Sequence, residues 1–225
     1  MSFQFLKRTL LPDTLDFIGR LIRSEHCGTA LDIGCGKSSH LSSFRPSLKT
    51  VGLDAFTGAI ETSRRLKIHD DYILANVMEA SAEDILFRNG GEKFDLVTMF
   101  DLIEHLPRKM GWELLEKCEK LTRKFILLQT PYGFLEQGPE DNNIYQCHLS
   151  GWFPHDFASM GYKVVGCAGT RLFHGYAGEF KWNFPGVKSL DFAAGVLLNL
   201  EKNPQHALNM VAWKDVRPVP VRLKL

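Results

Sequence analysis

No stretch of this 225-residue chain stays apolar for the roughly 20 residues that a helix needs to cross a bilayer. The run from Phe192 to Leu200 is short and is broken by Gly195 and Asn199, so no membrane span is expected. Lys7 and Arg8 are followed by Pro12, Asp13 and Asp16, without the apolar segment or small-residue cleavage site of an export signal, which predicts a cytoplasmic protein. Cys-x-x-Cys pairs are missing too. Cys27, Cys35, Cys118, Cys147 and Cys167 are odd in number and scattered, which argues against a disulfide framework and a cysteine-held zinc and predicts reduced packing thiols. Nor is one sign of charge in excess: Lys and Arg total 27 against 26 Asp and Glu, and the pI is near 7.7. No global field therefore draws the chain to nucleic acid or an anionic membrane. Arg64, Arg65 and Lys67, the evident basic group, read as a solvated helix face. Internal repeats and low-complexity tracts are absent, and 44% hydrophobic residues suit one globular domain with a substantial core.

What the chain does contain is an apolar run from Ala30 to Ile33 ending in Gly34-Cys35-Gly36, followed by Val51-Gly52-Leu53-Asp54-Ala55. A strand, a glycine turn and a second strand tipped by an acid stand at the spacing of nucleotide-cofactor sites. The glycines let the backbone approach a ligand, and the acid can accept from both hydroxyls of a ribose. Ser39 occupies the place of the third glycine of a dinucleotide fingerprint, which points away from nicotinamide cofactors.

Further apolar runs alternate with helical patterns. Strands are expected near 29–33, 49–53, 72–75, 94–99, 124–129, 162–167 and 207–213, with helices over Leu11 to Arg23 and beginning near Thr57, Ser81 and Lys109. Ser81 with Asp84 opens one helix and Asn89-Gly90-Gly91 closes it. Such alternation predicts an α/β fold, a mostly parallel Rossmann-like sheet of seven strands with helices on both faces. Lid-like insertions are expected at about 131–150 and 170–203 within a single domain spanning 1–225.

The glycine turn, Ala75-Asn76-Val77, Phe94-Asp95-Leu96-Val97 and Asp101-Leu102-Ile103-Glu104-His105-Leu106 together resemble the class I S-adenosylmethionine-dependent methyltransferases, in the order that family has them. The resemblance covers about half of the chain. It implies an antiparallel last strand inserted beside the fifth, and S-adenosylmethionine as cofactor. By the same resemblance Gly34 and Gly36 would admit the methionine part, Asp32 would hold its amino group, and Asp54 would take the ribose. Ala55 and Phe56 would face the adenine, Asn76 its exocyclic amine, the Val77 backbone a ring nitrogen, and Phe100 would also contact the cofactor. Asn76 stands where the family more often has aspartate. Taken singly, each residue also has a purely structural reading, with the glycines as ordinary turns, Asp54 as a helix cap and Asn76 as a loop cap.

Methyl transfer from a sulfonium is a direct displacement that needs alignment and, for a hydroxyl acceptor, removal of a proton. His148, His105 and Asp101 are the candidates for that chemistry. The D-x-x-E-H segment also resembles the carboxylate and histidine cluster of the ubiquinone-biosynthesis and small-RNA O-methyltransferases. That implies a Mg²⁺ or Mn²⁺ site of Asp101, Glu104, His105 and His148, although many methyltransferases carry the E-H pair without a metal. A loop rich in Gln137, Glu140, Asp141, Asn142, Asn143 and Tyr145 suits a hydroxylated small-molecule or glycan-type acceptor. The aromatic set Phe173, His174, Tyr176, Phe180, Trp182 and Phe184 reads equally as the wall of an apolar acceptor site, as subdomain packing or as a homodimer contact. A nucleic-acid methyltransferase, or a cofactor-binding partner subunit without turnover, are the alternatives.

Overall fold

A computed structural model describes residues 14–139, 143–175 and 179–218 of the chain. Seven strands form one sheet: β1 Thr29–Ile33, β2 Lys49–Asp54, β3 Asp71–Leu74, β4 Phe94–Phe100, β5 Thr122–Pro131, β6 Lys163–Thr170 and β7 Ala207–Asp215, in the spatial order β3-β2-β1-β4-β5-β7-β6. The β1–β2, β1–β4, β2–β3 and β4–β5 pairs are parallel, whereas β7 runs antiparallel to both β5 and β6. The mostly parallel sheet, and the last strand inserted beside the fifth, are as expected.

Central parallel strands are covered on both faces, which is why they read as nearly continuous apolar runs. Alternate residues feed two cores. Leu31, Ile33, Val51, Leu53, Val97, Met99, Ile126 and Leu128 join one; Ala30, Leu96, Phe125 and Leu127 join the other. The helices are α1 Thr14–Ser24, α2 Thr57–Arg65, α3 Ala82–Phe87, α4 Arg108–Leu121, α5 Pro154–Ser159 and α6 Val187–Leu197. Ile18 and Ile22 of α1 close the second core, and Ile85, Leu114, Leu115 and Phe157 of α3, α4 and α5 close the first. The expected start of the first helix, at Leu11, lies outside the described residues. The Ser81 hydroxyl accepts from the Asp84 N–H at 3.0 Å and donates to the Asp84 carboxylate at 2.7 Å, and Gly91 N–H returns to Leu86 C=O at 3.0 Å. Both ends of α3 are thus capped by the residues expected to do so. All five cysteines are free thiols, and among the described residues no helix is long and apolar enough to cross a membrane.

The described parts of the two long connections carry polar contacts of their own. In 131–150, Gln137 Nε2 donates to Gln146 C=O at 2.9 Å and His148 N–H to Gln137 C=O at 3.0 Å. In the second, buried Asp191 of α6 accepts from Thr170 N–H at 2.9 Å and Thr170 Oγ1 at 2.7 Å, which ties α6 to the end of β6. Glu140, Asp141, Asn142 and Tyr176 lie outside the described residues.

Trp152, fully buried, packs edge-on to Trp112 at 5.0 Å and stacks on Phe157 at 5.4 Å, while the Arg108 guanidinium covers it at 4.9 Å. Its indole fits because Gly111 of α4 has no side chain, since a β-carbon there would collide with the ring. Gly111→Ala is expected to lower stability by about 1–3 kcal/mol despite alanine's better helix propensity, as read by urea denaturation.

Candidate active site

Parallel sheets of this kind present ligand sites beyond the carboxyl ends of their strands. There, the tips of β1, β2 and β4 surround a cavity of about 560 Å³ lined by Asp32, Gly34 to His40, Asp54, Phe56, Ala59, Phe100, Asp101, Asn143 and Gln146. Its volume falls within the roughly 300–1,000 Å³ usual for small-molecule and cofactor sites.

The turn after β1 needs glycine for two different reasons. Gly34 and Gly36 have φ of +70° and +58°, in the left-handed region, and a β-carbon at Gly34 would also stand 2.8 Å from Leu102 Cδ1. The Asp54 carboxylate then fixes the turn from the side. One oxygen accepts from Gly36 N–H at 2.9 Å and the other from Phe56 N–H at 2.8 Å. Each oxygen keeps a further acceptor position.

Asp32 is 1% exposed, on the same side of β1 as Ala30. It accepts from Ser39 Oγ at 2.5 Å and Thr98 Oγ1 at 2.7 Å, which brackets the carboxylate between the glycine turn and β4. Burial is the larger effect and outweighs these donors, pushing the carboxyl up to about 6.

Past β4, Asp101 has a φ of +48°, and its carboxylate accepts from Gln129 Nε2 at 3.3 Å. The carboxylate is open to solvent yet sits in a concavity, so desolvation raises it, against the partial relief of Gln129, His40 and His148. A 3-10 turn, Ile103–His105, follows. Glu104 is 1% exposed: its Oε2 accepts from Thr130 Oγ1 at 3.0 Å, and its Oε1 is buried without a hydrogen-bond partner. Desolvation, reinforced by the Asp101 charge, pushes it up to about 8. The His105 and His148 rings meet at 4.7 Å, with His105 Nδ1 on Cys147 C=O at 3.2 Å and His148 Nδ1 on Leu135 C=O at 2.6 Å. If each Nδ1 carries the proton these carbonyls call for, both Nε2 atoms expose lone pairs. Burial, the main cause, lowers the His105 pKa and so favours the neutral ring. One ligand atom from each of Glu104, His105 and His148 lies within 4.8 Å of the others.

Residues 31–124 match a family model described as a methyltransferase domain. Over those residues the chain is similar to the methyltransferase-domain family, in agreement with the resemblance its motifs carry. Solved structures show the same fold across nearly the whole chain. The plantazolicin methyltransferase BpumL, in complex with S-adenosylhomocysteine, is 17% identical over 94% of this chain and 84% of its own, with a TM-score of 0.55. A SAM-dependent methyltransferase from Archaeoglobus fulgidus is 16% identical over 95% of this chain and 100% of its own, with a TM-score of 0.53. The magnesium protoporphyrin IX methyltransferase of Synechocystis PCC 6803, with bound SAM, is 11% identical over 91% and 78%, with a TM-score of 0.51. No curated protein matches the chain in sequence at a significant level.

The sequence-expected residues divide into groups. Asp32, Gly34, Gly36, Asp54, Phe100 and Asp101 line the cavity; Ala55, Asn76 and Val77 do not. The Asn76 amide donates to Glu79 at 3.2 Å and its carbonyl accepts from Met78 N–H at 3.0 Å, the loop-capping geometry, while Val77 packs into the first core. Glu104, His105 and His148 come together, but Asp101 does not join their cluster. An aspartate and a glutamate three apart share a face only in a helix, and the left-handed backbone at Asp101 precedes the helical turn, so its carboxylate is turned to Gln129 and the cavity instead. Ser39, Thr98, His40, Asn143 and Gln146 were not singled out for the cofactor site. Thr98 alone carried a signal, as a polar residue amid the otherwise apolar end of a buried strand.

Glu104 gives a stability prediction. Its carboxyl ionises near 4.5 in the unfolded chain and only near 8 when folded, so ionisation of the unfolded state erodes stability as pH rises between those values. In EDTA, Glu104→Gln should remove that slope and gain on the order of 1–3 kcal/mol over the wild type at pH 8.5 relative to pH 5, measured by chemical denaturation.

Proposed function

We propose that the domain transfers the methyl group of S-adenosylmethionine, by direct displacement, to a hydroxyl of a small metabolite or glycan-type acceptor. The observation that carries this reading is the cavity itself. Acid, glycine and apolar groups form its β1–β2 side, and hydrogen-bonding Asp101, Asn143 and Gln146 form its β4–β5 side. On the first side Gly34 and Gly36 admit the methionine part, Asp32 meets the ammonium, Asp54 accepts from the ribose with its remaining lone pairs, and Phe56 with Phe100 offers apolar surface. On the second, Asp101 takes the acceptor proton. Desolvation raises its pKa, so it is a better base than an ordinary carboxylate. The paired imidazoles of His148 and His105 beside it, each held through Nδ1 by a carbonyl, can relay that proton. The 131–150 insertion selects the acceptor, because it supplies Asn143 and Gln146. The acceptors named for the structural neighbours, plantazolicin and magnesium protoporphyrin, differ widely, so acceptor choice is read from this chain's own loop.

Calorimetry should show S-adenosylhomocysteine binding, weakened by more than about tenfold, or roughly 1.4 kcal/mol, in Asp54→Ala. An unchanged affinity would remove the ribose contact. Labelled S-adenosylmethionine should then methylate hydroxylated members of an acceptor panel. Tight binding with no transfer to any acceptor would favour the partner-subunit reading, and salt-sensitive RNA binding a nucleic-acid substrate.

A second reading adds a divalent cation at Glu104, His105 and His148. The fit rests on the orphaned Glu104 Oε1 and on two imidazoles whose Nδ1 atoms are held by carbonyls, the arrangement that orients Nε2 toward a metal. Two nitrogens with carboxylate oxygen suit Mn²⁺ better than Mg²⁺. Such an ion supplies Lewis acidity that lowers the pKa of an acceptor hydroxyl. Mn²⁺ should raise the melting temperature of the wild type and leave His148→Ala unmoved; full activity in excess EDTA would discard the ion.

A further inference from the structure

His69 has no role in the site described so far, yet it lies directly behind it. The side chain is fully buried, its Nε2 stands 3.5 Å from Asp32 Oδ2, and neither ring nitrogen has a hydrogen-bond partner. Space for the ring is built into the fold. A β-carbon at Gly52, in the middle of β2, would stand 2.5 Å from His69 Cδ2, so only glycine at this register admits the imidazole beneath the cofactor turn. The residue is also held in place. The backbone N–H of His69 donates to Tyr72 Oη at 2.9 Å, Tyr72 Oη donates to Ser63 C=O at 2.7 Å, and the Tyr72 ring meets the imidazole edge-on at 5.8 Å.

We propose that His69 is a positioning residue for the cofactor's ammonium group, presenting Nε2–H to Asp32 from behind so that the carboxylate faces the glycine turn. This rests on the reading of Asp32 as the group that meets that ammonium. The contact is not a pair of full charges. Burial holds the imidazole down to about 4 and the Asp32 carboxyl up to about 6, so near neutral pH a neutral ring faces a carboxylate. A neutral ring can support that charge only by pointing a proton at it, since an Nε2 lone pair there would repel it. Asp70 beside His69 favours its charged form and Arg45 opposes it, while Asp54 opposes ionisation of Asp32. Cys35 Sγ borders the same pocket, close to where a Gly52 β-carbon would stand.

The test compares two probes, S-adenosylhomocysteine and 5′-methylthioadenosine, which lacks the amino-acid part. His69→Phe keeps the ring volume and removes the donor, and His69→Gln keeps a donor. By calorimetry at pH 7, His69→Phe should bind S-adenosylhomocysteine about tenfold more weakly with methylthioadenosine changed less than about twofold, and His69→Gln should restore most of the loss. Wild-type affinity for S-adenosylhomocysteine should fall as pH drops through about 6, where Asp32 takes a proton, and the midpoint should rise in His69→Phe because a donor to the charged form is gone. Equal losses for both probes, or none, overturn the assignment while leaving the cofactor reading standing; failure of the wild type to bind S-adenosylhomocysteine removes both. Nitrogen-15 histidine spectra of the wild type decide the point without any variant: a proton on Nε2 of His69 is required, and one on Nδ1 refutes it.

Discussion

A carboxylate buried at the end of an apolar strand must find donors, and the neighbourhood of Asp32 is arranged around that requirement. With 1% of its surface exposed, Asp32 takes one hydroxyl from Ser39, beyond the glycine turn, and one from Thr98 on β4. These two bonds tie together segments that the chain order separates by two strands. Asp54 does the same across the next gap, bonding Gly36 N–H from the tip of β2. The glycine turn is therefore clamped from two sides by acids that also line the cavity. A left-handed turn of Gly34 and Gly36 would otherwise be among the more mobile parts of such a sheet, and preorganising it lowers the ordering cost of binding a ligand there.

The two edges of the sheet treat their acids in opposite ways. At the amino edge of β4, Asp95 accepts from Arg123 Nε at 2.8 Å and Gly28 N–H at 2.7 Å, with Lys124 at 3.2 Å; although burial opposes them, these partners hold it down to about 2. At the carboxyl edge Asp32, Asp101 and Glu104 are all raised, in each case chiefly by burial. Desolvated acids are costly in a folded protein, and a ligand that brings positive charge relieves that cost. An adenosyl sulfonium with its ammonium is such a ligand, and a divalent ion at Glu104 would be another. The acids of the amino edge are structural for the converse reason, since their charge is already met.

Much of this was legible in the residues. The strands announced themselves because parallel strands buried on both faces read as unbroken apolar runs, and the glycine turn because Gly34 and Gly36 sit where a backbone must turn sharply. The antiparallel β7 was foreseen only through family resemblance, since spacing carries no information about strand order. Side-chain direction was less accessible. Asp101 and Glu104, three apart, would share a face if the segment were helical, and a left-handed residue followed by one 3-10 turn does not meet that condition. Asn76 spends both ends of its amide on its own loop, a competition between local capping and ligand binding that composition does not resolve. His69 left no mark in the sequence, because what gives it meaning is Gly52 on a neighbouring strand.

Glu104 joins two tasks that are separable by atom. Its side chain faces His105 and His148, while its backbone carbonyl accepts from Leu149 N–H at 2.8 Å and Ser150 N–H at 3.0 Å. Ser150 further donates to Ile103 C=O at 3.3 Å and accepts from the Trp152 indole at 2.9 Å, and Trp152 is seated on Gly111. The end of the 131–150 connection is thereby fixed to the core through backbone groups that any residue at position 104 would supply. The segment before His148 is left freer, and there Asn143 and Gln146 reach the cavity while Phe134, Ile144 and Tyr145 stand exposed. Substitutions there would alter that side of the cavity without disturbing Asp32, Asp54 or the turn they hold, which is the division of labour that loops on a rigid sheet permit.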